Sequence, residues 1–84
     1  MDTFTNMVRT HRHGLIETCA HLEPDAAITF MNTMRKITSI HSFLWLSTAQ
    51  VLSALLFIQD GKGPLSRPAR RIAANLTKRW AQNA

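Results

Sequence analysis

The sequence predicts an all-α fold of three helices, and three observations carry that expectation. Apolar residues recur every three to four positions along most of the chain, and no stretch alternates apolar with polar residues as a strand does. Helix breakers gather at two places, Glu23-Pro24-Asp25 and the run Asp60-Gly61-Lys62-Gly63-Pro64. The 84 residues suit one small helical domain, 1–84, with a thin core. That size excludes a large catalytic scaffold, and the lone Cys19 excludes an internal disulfide framework. A hydrophobic fraction of 45% with only 18% charged residues argues against global disorder.

Helix 1 is expected over about residues 3–22, where Phe4, Val8, Leu15, Cys19 and Leu22 repeat at helical spacing with Met7 and Ile16 alongside. Gly14 is its weak point, because an interior glycine costs roughly 1 kcal/mol relative to alanine. Asp2, Arg9, Arg12 and Glu17 interrupt any apolar run, so a signal peptide is not expected. Pro24 disfavours helical geometry at Glu23 and opens a second helix, with Asp25 in its first turn.

No glycine or proline interrupts the chain between Asp25 and Asp60, so helix 2 is expected to run unbroken over about 25–59. At 1.5 Å per residue its length is about 50 Å. Phe30, Ile37, Leu44, Val51 and Ile58 are spaced by seven, with Leu55 one turn on, and they define a coiled-coil-like association seam. Phe43, Leu46 and Phe57 lie off that seam, so the helix is apolar around much of its circumference. Two short flanking helices cannot cover it, which leads to the expectation of self-association, as a homo-oligomer or with a partner helix. His41 interrupts the seam and makes pH-sensitive association an expectation.

The segment from Ile37 to Gln59 holds no charged residue and is long enough to cross a bilayer, which needs about 20 residues. The basic tail that follows would then lie on the cytoplasmic side. Gln50, His41 and several serines and threonines oppose insertion, since an unpaired amide near the bilayer midplane is costly. The favoured reading is a cytoplasmic helical protein. The alternative is a single-span membrane subunit with its C-terminus cytoplasmic.

Helix 3 is expected over about 67–81, with Ser66 before it. Ala69, Ile72, Ala73, Leu76 and Trp80 gather on one face, Arg67, Arg70, Arg71 and Lys78 on the other, and Arg79 at the border. The chain's net charge of +5 is concentrated here. Residues 1–60 carry four basic and five acidic side chains, whereas residues 61–84 carry six basic and none acidic. Such asymmetry points to an anionic partner: an acidic protein surface, lipid headgroups or a nucleic acid.

His13, Glu17 and His21, spaced four and four, share one helix face and are the weak metal-ligand candidates; as an exposed polar stripe they need no metal, and none is expected. Neither a phosphate-cradling glycine loop nor a nucleophile beside a base and an orienting acid can be found, so neither a catalytic role nor a cofactor is expected. The sequence thus favours a non-enzymatic interaction or regulatory protein that associates through its central helix and presents a basic helix to an anionic partner. A nonspecific nucleic-acid-binding dimer is the further alternative.

Overall fold

The computed structural model describes residues 3–83, and among these the fold is all-α, with four helices in a compact bundle and no strand. They are α1 (Thr3–Ala20), α2 (Pro24–Ile37), α3 (Phe43–Asp60) and α4 (Arg67–Asn83). α1 runs through Gly14 without a break. It ends at Ala20, where His21 N–H and Leu22 N–H bond back to the carbonyls of Thr18 and Cys19. Glu23 is extended (φ −73°, ψ 157°), and Pro24 supplies the pre-set first turn of α2.

The expected helix over 25–59 is two helices, and this is the main correction to the sequence reading. The break lies at 38–42, where no glycine or proline stands. Short hydroxyl side chains make it instead. Thr38 Oγ1 donates to the carbonyls of Met34 and Arg35, while Thr38 itself leaves the helix at φ −98°, ψ 144°. Ser39 Oγ accepts from His41 N–H, and Ser42 N–H and Oγ–H both donate to the Ser39 carbonyl. Ser42 then caps α3 by accepting from Trp45 N–H at 3.2 Å. Each bond offers the backbone a local alternative to continuing the helix.

Once the chain turns at 38–42, the heptad seam ceases to be one line. Val51 and Leu55 are fully buried, Phe30, Leu44 and Ile58 are half-buried, and Ile37 is 71% exposed. The surface expected to meet a second copy is largely covered by the chain's own α1, α2 and α4, all of which pack on α3. His41 sits exposed in the turn rather than beside a buried seam. α3 is the central helix, burying Ser47, Thr48, Val51, Leu52, Ala54 and Leu55. The core is completed by Leu15, Cys19, Ala27, Met31, Ile72 and Leu76.

α3 ends on Gly61 in the left-handed region (φ 66°), whose N–H donates to the Phe57 carbonyl at 2.6 Å. Gly63 also has positive φ (97°), so the segment 61–66 is shaped by two residues that tolerate this geometry. Ser66 caps α4 by accepting from Ala69 N–H at 3.3 Å. Leu46 and Gln50 face the same cleft as Pro68 and Arg71, and Leu55 and Ile58 the same cleft as Trp80, so α4 runs in the same direction as α3. The 61–66 segment therefore doubles back along α3 to start α4 beside its first half.

Candidate anion-binding site

The parallel course of α1 and α4 sets their arginines side by side. Arg9 and Arg12, one turn apart on α1, face Arg67 and Arg71, one turn apart on α4. Together they line two adjoining clefts of about 410 and 530 Å³, which share Arg12, Pro68 and Arg71. Gln50 of α3 and Asn75 of α4 add amide groups to the walls.

Arg12 is the fixed point of this groove. It is half-buried, and its guanidinium donates to Gln50 Oε1 at 2.6 Å. Burial first, and the neighbouring charge of Arg9 second, hold its pKa below the ordinary value. Arginine stays charged even so, and both causes act against the charged form. Among the described residues, none of the four groove arginines forms an ion pair with a carboxylate.

The other end of the same helix pair is closed. Arg79 donates to both carboxylate oxygens of Glu17, at 2.5 and 3.0 Å. Those hydrogen bonds chiefly hold the Glu17 carboxyl below its ordinary value, with the charges of Arg79, His13 and His21 acting in the same direction. Trp80 Nε1–H donates to the Leu22 carbonyl at 2.9 Å and approaches the Cys19 carbonyl at 3.3 Å, while Asn83 Nδ2 reaches the Ala20 carbonyl at 3.5 Å. α4 thereby donates to carbonyl groups at and just beyond the C-terminus of α1.

The basic face expected on the last helix is thus divided. All four are exposed, but Arg67 and Arg71 line the groove with α1 whereas Arg70 and Lys78 lie outside it. Arg9, Arg12 and Gln50 complete the groove and were not singled out as site residues by sequence. Their signal was the Arg9/Arg12 spacing of three on a helix whose acids lie elsewhere.

His13, Glu17 and His21 lie near one another, but both Glu17 oxygens are taken by Arg79. Among the described residues no group of three or more His, Cys, Asp or Glu is placed to hold a metal ion. Cys19 is buried, and burial pushes its thiol up to about 11, which keeps it protonated. His11 Nδ1 is hydrogen-bonded to Ser47 Oγ, and its ring meets Phe43 edge-on at 6.1 Å. Ser47 is fully buried, and its hydroxyl also faces the carbonyls of Phe43 and Leu44 at 3.1 Å.

No protein-family model matches the chain, and no curated protein or solved structure matches it either.

Proposed function

We propose that this chain is a small, non-enzymatic cytoplasmic interaction module that takes an anionic partner in the arginine-lined groove between α1 and α4. The observation that carries the reading is Arg12, half-buried, held by Gln50 and flanked by Arg9 and Arg71, with no carboxylate paired to it among the described residues. A cation kept partly dehydrated without a counter-charge costs stability, and an incoming anion offsets that cost. Arginine forks suit carboxylate or phosphate groups through paired N–H donors.

The test compares charge-matched variants on an immobilised heparin column, with folding checked by circular dichroism. Arg12→Gln/Arg71→Gln and Arg70→Gln/Lys78→Gln each remove two positive charges. The groove pair is expected to elute at clearly lower salt than the outer pair. Equal shifts would reduce the binding to net charge and defeat the proposal.

α3 supports a second reading, because it is long and apolar enough by length and composition to cross a membrane, with a mean hydropathy of 1.3 over 18 residues. Its contacts with all three other helices favour the role of a bundle core. Retention in the membrane fraction after carbonate washing would reverse that preference. A second copy, if it associates, must use other surfaces than Val51 and Leu55, and Ile37, Ile40 and Leu46 are the exposed apolar side chains nearest the broken seam.

A further inference from the structure

We infer that the groove between α1 and α4 binds the sugar-phosphate backbone of a single-stranded nucleic acid. The inference rests on the anion-binding reading above and names its ligand class. Four features separate this ligand from other anions.

The first is shape. The two clefts join end to end along parallel helices, from Arg9 past Arg12 and Arg71 to Asn75, and so form a track rather than a socket for one ion. A narrow furrow along two packed helices suits a single strand, whereas the wider duplex can touch only its rim. The second is the spacing of charge. Arginines three apart on α1 and four apart on α4 put their Cβ atoms about 5–6 Å apart along each wall. A repeating chain of phosphates can meet them in series, while a lone phosphate can meet only one end.

The third is chemistry. All four cations are arginines, which present paired donors to phosphate oxygens. Gln50 and Asn75 supply neutral amides for sugar or base groups, as side chains beside a phosphate track commonly do. The fourth is depth. Arg12 stands half-buried and tied to Gln50 in the wall of a concavity, out of reach of a flat bilayer surface, while Arg9, Arg67 and Arg71 stand exposed along the rim. Arg67 and Pro68 also begin α4, so the positive end of its dipole adds to the field at the track's middle.

The contacts imply a steep salt dependence and little sequence preference. With about four phosphates neutralised, affinity for a single strand should fall roughly fifty-fold between 50 and 200 mM NaCl.

The experiment measures fluorescence anisotropy of the full chain with a labelled 12-nucleotide mixed-sequence DNA strand, and with the corresponding duplex, at both salt concentrations. The expected result is tighter binding to the strand than to the duplex. Arg12→Gln/Arg71→Gln should weaken strand binding at least ten-fold and roughly halve the salt slope, with Arg70→Gln/Lys78→Gln changing both much less. Poly-glutamate and phosphatidylserine vesicles form the parallel arms. If either binds with dependence on Arg12 and Arg71 while the strand does not, the nucleic-acid inference falls and the anion-binding reading stands. If the two double variants behave alike with every probe, both fall. Preference for the duplex would overturn the single-strand assignment.

Discussion

The α1–α4 interface has two ends built from the same residue type and opposite in outcome. At one end Arg79 meets Glu17 in a two-pronged ion pair, and Trp80 and Asn83 donate to the carbonyls of Leu22 and Ala20 where α1 ends. At the other, Arg9, Arg12, Arg67 and Arg71 face one another, with a single amide, Gln50, accepting from Arg12. The first end holds the helices together, and the second spends stability to keep charge concentrated. The difference teaches that an arginine's role here is set by whether a carboxylate is placed within its reach, and α1 places one only in its C-terminal half.

The largest expected effect comes from breaking the closed end. Trp80→Ala removes half-buried aromatic area and the donor to Leu22 and Cys19, and should cost about 3 kcal/mol, lowering the midpoint of thermal unfolding by roughly 10–20 °C. Between the two ends stands Gly14, where an added Cβ would meet nothing within 4 Å. Gly14→Ala should therefore stabilise the fold by about 0.5–1 kcal/mol in chemical denaturation, tightening both ends without altering their contrast.

A smaller effect sharpens the comparison by sign. Arg9→Gln relieves repulsion on Arg12 and should raise stability by about 0.2–0.5 kcal/mol at low salt. The same replacement at Arg79 should lower stability, because it leaves Glu17 without its two donors. Equal signs in paired melts at low ionic strength would erase the distinction between the ends.

Acid should weaken the helix contacts in two windows. Burial holds His11 below its ordinary 6.5, so the folded state binds fewer protons than the unfolded one. Its contribution is fully present above pH 6.5 and is lost as pH falls below that value. Glu17 is held below 4.5, and its contribution is lost only at lower pH, as pH falls through its depressed folded value. Unfolding measured from pH 8 to pH 3 should show the first decline removed by His11→Gln and the second by Glu17→Gln.

Much of the helical content was legible in sequence, and its organisation was less so. α1 and α4 follow from apolar periodicity, and Pro24, Gly61 and Ser66 mark ends that the structure keeps. The break at 38–42 was illegible because Thr38, Ser39 and Ser42 stop a helix through side-chain bonds that the same residues need not make elsewhere. That break also divides the seven-residue repeat from Phe30 to Ile58 between α2 and α3, since the spacing holds in the chain while the helix axis reverses. The groove was half legible. A charge sum over residues 1–60 comes to −1 and hides Arg9 and Arg12, because Glu23, Asp25 and Asp60 cancel them on paper from positions outside the groove. Glu17 looked like a metal-ligand candidate because its partner Arg79 lies 62 residues away.

The doubled-back segment 61–66 works as a ruler for the whole α1–α4 contact. Six residues reach about 20 Å, whereas the 18 residues of α3 rise about 27 Å, so α4 begins short of the start of α3 by an amount the segment's length sets. One residue more or fewer would slide α4 along its groove by a few ångströms, parting Arg79 from Glu17 and Arg71 from Arg12 in the same movement. Register, not sequence alone, decides which arginine is neutralised and which remains open to a ligand.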